Sequence, residues 1–320
     1  MSKNTLKFFF LFALMSVNVY TLVAQNINFN SQKNWSLNKK ELNFTVGATQ
    51  FTGDLGGADS YGHDYSLYDW DWPSVSYTVG VGYRYRFHPK FATTTTLNLV
   101  NVKGDDALSE EPIRKARNLN FKSNMFELHQ RIEYILFSVE RFSPTYSRPG
   151  EMQGKVRNQQ YYIFGGIGGT YFNPKGKYQG DWVSLRPLKT EGQAKPYLPI
   201  ALSVPLGFGF RFGLGTSWRM GIEASYVIAF TDYLDDVSTV YADPASLDGP
   251  IAQYLSNPSD QSVTAGPGFN WFGAGYQRGD KKQTDAYYHL NIVFIKNLTY
   301  KDYGRQRIKN IGGAKGVRIR

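Results

Sequence analysis

Cysteine is absent from the 320-residue chain, which rules out disulfide bonds and anchoring as a lipoprotein. Long hydrophobic runs are missing too. Mean hydropathy is −0.40, and the apolar run at residues 8–14 is too short for a helical span, which takes about 20 apolar residues. Histidine is scarce, and His63, His88, His129 and His289 are spread without metal-ligand spacing. No internal repeat and no composition break mark a second domain. What is present is a high aromatic content, 16%, and a formal net charge of +10.

Lys3 and Lys7 precede the apolar run, and Leu22-Val23-Ala24 offers a small-residue cleavage site. This layout predicts a secretory signal peptide over residues 1–24, with the mature chain starting at Gln25 and a polar linker over residues 25–40. A retained membrane anchor is the rival reading, and the run is short for it. The charge is uneven. Loss of Lys3 and Lys7 leaves +8, and residues 296–320 carry +7 through Lys296, Lys301, Arg305, Arg307, Lys309, Lys315, Arg318 and Arg320 against Asp302. A near-neutral body with a basic tail argues against a nucleic-acid binder and for a local anionic partner.

The strongest pattern lies at residues 200–230. Ile200, Leu202, Val204, Leu206, Phe208, Phe210, Phe212 and Leu214 alternate with small residues and Arg211. After a Gly215-Thr216 turn, Trp218, Met220, Ile222, Ala224, Tyr226, Ile228 and Phe230 alternate with Arg219, Glu223 and small residues. A period of two over this length gives strands with one wholly apolar face, more than twice the ~5–6 residues usual in soluble proteins. The same alternation predicts strands at 41–51, 74–87, 91–102, 118–137, 159–172 and 285–295. In the fourth, the apolar parity changes near Ser123, which reads as a β-bulge. The expected fold is all-β: an antiparallel transmembrane β-barrel of about eight strands over residues 41–295, followed by a basic periplasmic tail over 296–320. With both termini periplasmic, the short turns at 88–90 and 215–216 fall on the periplasmic side and the long connections outside. The basic connection at 138–158 is the exception. A soluble sandwich or lipocalin-like barrel would need a polar exterior, which this apolar face does not provide.

Small barrels fill their interior with side chains. The inward parity holds Arg84, Arg86, Glu127, Arg131, Glu133, Arg211, Arg219 and Glu223, so ion pairing must close the lumen. Other constellations have plainer readings. Gly165 to Gly169 lacks the helix that a phosphate loop needs, and reads as close strand packing. Asp232, Asp235 and Asp236 are hard oxygen donors, but their spacing is not that of an EF-hand. Arg278-Gly279-Asp280 reads as a polar turn. His129 with Glu127 and Glu133 is the one acid/base-like group, on the face expected to be inside.

Several motifs occur in a fixed order: Glu41-Leu42 with Gly47; FTGDLG at 51–56; RNLNF at 117–121 with Glu127-Leu128; YIFGGIGGTYFNP at 162–174; LRPL at 185–188 with TEGQ at 190–193. The last and most specific is TDYLDDVS at 231–238 with Tyr241, carrying Asp232, Tyr233, Asp235, Asp236 and Ser238. Over about residues 41–290 the chain resembles the PorG-type outer-membrane barrel family of the bacterial type IX secretion system. The resemblance implies a non-enzymatic part of the secretion machine that holds the periplasmic PorK–PorN ring at the outer membrane, with no cofactor. Partners expected on this reading are the ring proteins, outer-membrane lipid and other translocon components. The basic periplasmic residues, Arg141, Arg148, Lys155 and Arg157 with Arg305, Arg307, Lys309, Lys315, Arg318 and Arg320, are the inferred ring contacts. A lipid-modifying barrel enzyme, a small-solute porin and a surface adhesin are the alternatives.

Overall fold

The computed structural model describes residues 35, 39–55, 72–109, 111–139, 159–214, 218–260, 271–281 and 284–298. It contains β1 (Lys40–Thr52), β2 (Ser76–His88), β3 (Phe91–Asp105), β4 (Asn120–Val139), β5 (Gln159–Tyr171), β6 (Pro174–Tyr178), β7 (Asp181–Ser184), β8 (Ile200–Gly213), β9 (Trp218–Ala229) and β10 (Ala286–Asn297). Eight of these close into an antiparallel barrel in the order β1-β2-β3-β4-β5-β8-β9-β10, with β10 pairing back onto β1. The hairpin β6–β7 extends the sheet from one end of β4, through Lys122↔Lys175 and Ser123↔Pro174. Closure leaves no unpaired edge in the wall, as a hydrocarbon environment requires. No helix among the described residues is long and apolar enough to cross a membrane.

Alternation sorts the side chains by chemistry. Phe208 is 66% exposed and Ile132 58%, whereas Arg84 and Glu133 are fully buried. Water would favour the opposite arrangement; lipid outside and protein inside favour this one. On β5 the outward Tyr161 and Tyr171 lie ten positions apart. At ~3.3 Å per residue and a ~40° tilt they span about 25 Å along the barrel axis, the height of an apolar band between aromatic girdles. One polar group interrupts the band: Thr95 Oγ1 donates to Gln130 Oε1 at 2.5 Å and Gln130 Nε2 donates to Thr93 Oγ1. Pairing them to each other lowers the cost of placing them in lipid.

At one end of the strands the polarity reverses. There Phe51, Val100, Val102, Leu119, Phe121, Met125 and Phe172 are buried in a hydrophobic core, while Lys122 and Asn124 are exposed. This corrects the expected bulge at Ser123. The β3–β4 register runs unbroken from Phe91↔Tyr134 to Asp105↔Asn120, and the apolar parity changes because the strand leaves the membrane belt and its inner face meets a packed cap. The irregularity on β4 falls instead between Ile135 and Phe137, opposite β5. Expected loops also contain structure: helices Pro112–Arg117 and Gly249–Ser256, and the β6–β7 hairpin. At the other end β10 continues through Lys296 and Asn297, so the strand runs into the region expected as tail.

Candidate functional site: a filled lumen and a capped mouth

The inward parity of β1, β2, β4, β8, β9 and β10 brings opposite walls together. Glu133 on β4 accepts from Arg84 Nε at 2.7 Å, from Arg211 Nη2 at 2.5 Å and from Thr94 Oγ1 at 2.6 Å. Arg84 also reaches Glu41 at 2.6 Å, and Arg219 pairs with the same Glu41. Higher in the lumen Arg131 Nη1 donates to Glu223 Oε2 at 2.9 Å, and Tyr162 Oη to Glu223 Oε1 at 2.7 Å. Arg211 lies 3.6 Å over the Tyr162 ring and Arg131 4.3 Å over Phe164. Glycines on β8 make this possible: a Cβ at Gly209 would enter the Tyr162 ring, and one at Gly207 would come within 2.6 Å of Phe164. Arg86, also fully buried, donates to Pro89 O and secures the β2–β3 turn. In sequence Glu41 stands out only as part of a motif and not among the interior charges, because it opens its strand, although its parity opposite Phe44 and Val46 is inward.

Nearer the capped end, His129 Nε2 lies 2.8 Å from Ser203 Oγ, and His129 Nδ1 lies 3.7 Å from Glu127 Oε2. His289 Nε2 is 3.4 Å from the other Glu127 oxygen, and Thr170 Oγ1 donates to Ser203 Oγ at 2.9 Å. A serine, a histidine and a carboxylate in sequence have the parts of a hydrolytic triad. Here Ser203 and Glu127 are fully buried and His129 is 2% exposed. A nucleophile needs room for a substrate carbonyl, and this hydroxyl is surrounded by packed side chains. The group is a polar layer of the plug.

Above it, the long connections knit into a cap. Asp235 Oδ1 accepts from Val237 N at 2.9 Å and Oδ2 from Leu55 N at 3.1 Å. Asp236, with φ of 70°, accepts from Tyr197 Oη at 2.8 Å and from Thr190 Oγ1. Glu191 receives Ser238 N at 2.8 Å and Thr239 Oγ1 at 2.7 Å. Tyr233 stacks on Tyr197 at 4.7 Å, and Tyr241 meets Phe272 edge-on. The buried Arg278 donates to Glu191 at 3.0 Å and to Ser256 O at 3.1 Å, so Arg278-Gly279-Asp280 is an internal tie. Arg117 chelates Asp106 at 2.7 and 2.9 Å, and also donates to Asp54 O at 2.7 Å and Arg278 O at 3.1 Å. The signature at 231–241 therefore acts as the hub joining four loops. Asp54, Arg117, Glu191 and Arg278 complete it together with Asp106 and Asp285. In sequence the first four stand in motifs or a turn without a role, and the last two do not stand out, because the partners that define the cap lie as far as 226 positions apart.

The cap is rich in carboxylates that burial makes hard to ionise. Asp54 is pushed up to about 6 by burial, offset in part by Asp280 N–H and Arg117. Asp232 rises to about 7 through burial and the neighbouring Asp54, Glu191 and Asp280, and Asp236 to about 6 through burial despite Arg278. Asp235 and Asp285 rise well above the usual range, through burial and then through nearby carboxylates. Burial opposes the charge on Arg117, but contact with Asp106 holds it above its ordinary value. No three His, Cys, Asp or Glu side chains among the described residues are placed to hold a metal ion. His63, the signal peptide, Arg141, Arg148, Lys155, Arg157, Arg305, Arg307, Lys309, Lys315, Arg318 and Arg320 lie outside the described residues.

Closed wall, apolar belt, charged plug and capped mouth together define an eight-stranded membrane β-barrel of the outer-membrane type, built solid rather than as an aqueous channel. Residues 19–247 match a domain of unknown function (DUF6089), and the chain belongs to that family. Among solved structures it is similar to Neisserial surface protein A, at 6% identity and a TM-score of 0.36, over 81% of this chain and 97% of that one. It is also similar to Ail, the attachment invasion locus protein of Yersinia pestis in complex with the heparin analogue sucrose octasulfate, at 12% identity and a TM-score of 0.31, over 80% of this chain and 99% of that one. Comparison with curated proteins finds no match.

Proposed function

We propose that the protein is a non-enzymatic anchor of the type IX secretion machinery, holding a periplasmic ring of the PorK–PorN kind at the outer membrane through basic segments at one end of the barrel. The observation that carries this reading is where those segments leave the wall. Val139 and Gln159, the ends of β4 and β5, lie at the same end as the β2–β3 turn and as Lys40 and Asn297, the outer limits of β1 and β10. The 140–158 connection, with Arg141, Arg148, Lys155 and Arg157 in its sequence, and the tail with Arg305 to Arg320 thus leave the wall at the same mouth, from opposite sides of the ring of strands. The β2–β3 turn at this end is short and the connections after β1, β3, β5 and β9 at the other are long, the usual arrangement of a barrel with its turns in the periplasm, with the 140–158 connection as the exception. The resemblance of motif order supports the same assignment. A plugged lumen and a triad-like group without substrate access favour anchoring over transport or catalysis.

Individual rim charges contribute little, ~0.2–1 kcal/mol each, but ten of them around one mouth present a surface for an acidic ring face. The test is truncation after Leu298, which leaves β10 and its Lys296–Trp218 contact intact. The truncated protein is expected to insert normally and to co-purify with several-fold less ring protein, the loss deepening when Arg141, Arg148, Lys155 and Arg157 are changed to Gln. Undiminished co-purification in that combined variant contradicts the assignment.

A further inference from the structure

Where β3 and β4 rise past the lipid belt, three lysines stand directly opposite one another across three strands: Lys103↔Lys122 and Lys122↔Lys175, with Ser184 next in the same row. Like charges opposed in a sheet are destabilising, and no salt bridge joins any of the three to a carboxylate among the described residues. Lys122 and Lys175 are exposed and Lys103 is half-buried. Lys122 also sits 6.0 Å over the ring of Trp182, which is 43% exposed and pairs with Lys177 on the β6–β7 hairpin. Asp105, the acidic residue of this face, lies one row further from the membrane, on the side of Lys177. The row therefore concentrates positive charge without internal compensation.

Its height is set by the register. Lys122 is four residues beyond Phe126, an outward belt residue that is 54% exposed and packs beside Tyr171. At ~3.3 Å per residue and ~40° tilt, the lysines stand about 10 Å above the end of the apolar belt. That is the depth of lipid headgroups, where tryptophan also settles and where clustered lysines meet anionic lipid.

We propose that Lys103, Lys122 and Lys175, with Trp182 beside them, form a site for the phosphorylated headgroup of a lipid in the leaflet on the capped side of the barrel. The ammonium groups neutralise the lipid phosphate, and Trp182 covers the neighbouring sugar or glycerol. The acyl chains run down the apolar wall past Phe126, Leu99 and Tyr171. Bound lipid removes the mutual repulsion of the row and ties the β6–β7 hairpin, and through it the cap, to the membrane surface. The site depends on the barrel lying in the membrane, not on any ring contact at the opposite end.

Native mass spectrometry of the full-length protein in neutral detergent, titrated with diphosphorylated lipid A and with its fully dephosphorylated form, tests this. The intact protein is expected to retain the phosphorylated form at least tenfold more strongly. Triple substitution Lys103→Gln, Lys122→Gln and Lys175→Gln is expected to abolish that preference, while changing Lys115, Lys189 and Lys195 to Gln, with the same loss of charge, leaves it. Heat-modifiable gel mobility confirms that each variant is a folded barrel. Equal retention of both lipid forms, or an unchanged preference in the folded triple variant, overturns the site. Complete displacement of the lipid by ten millimolar inorganic phosphate overturns the assignment to a membrane lipid.

Discussion

Glu133 shows what a residue does in a plug made of charges. It holds Arg84, Arg211 and Thr94 at once from a fully buried position. Removing one partner of a buried ion pair costs about 3–5 kcal/mol, because the remaining charge is stranded. Glu133→Ala strands Arg211 and leaves Arg84 with Glu41 alone, so a loss of about that size is expected in the unfolding free energy measured by urea titration of the folded barrel in micelles. A loss below about 1 kcal/mol would mean that water enters the lumen and solvates the arginines. Tyr162 and Gly209 make the same point through space: the ring fills the lumen because the facing residue has no side chain.

At the scale of elements, the strands were largely legible and the cap was not. Alternation over β2, β8, β9 and β10 fixes both faces without knowledge of any neighbour, since a strand offers its faces at a period of two. On β4 the same rule misled at Ser123, because it was read as one environment throughout. The strand in fact crosses two, lipid outside with charge inside, then water outside with apolar core inside. The TDYLDDVS segment stood out in sequence, but its role depends on partners such as Leu55, Glu191 and Arg278, brought together only by closure of the barrel. The cap carries its own prediction. Asp54, Asp232 and Asp236 titrate at about 6 to 7 in the fold, against about 3.9 in an unfolded chain. Raised carboxyl values mean that the folded cap binds protons more tightly. Their stabilisation is complete below about pH 4 and is lost as pH rises through 6 to 7. Amide exchange at Leu55 and Leu234, corrected for intrinsic rate, is therefore expected to show protection that falls between pH 5 and pH 8. Asp285→Asn should flatten that fall, since it removes one of the mutually raised carboxyls. Protection that increases with pH would contradict this picture of the cap.

For the whole molecule, the two ends differ. One is sealed by an apolar core and a hydrogen-bonded web; the other holds the β2–β3 turn and the ends of β4, β5, β1 and β10. Between them the lumen carries paired side chains from opposite walls, so planar-bilayer recordings are expected to show no steady conductance steps. Well-defined steps would revive the porin reading. The most direct measurement of the anchoring role is photo-cross-linking in growing cells, with a photoreactive residue at Arg148 and, as the control, at the exposed Ile251 of the cap helix. Position 148 is expected to trap a periplasmic ring protein that position 251 does not. Ring protein trapped from position 251 alone, or from neither position, would contradict the account.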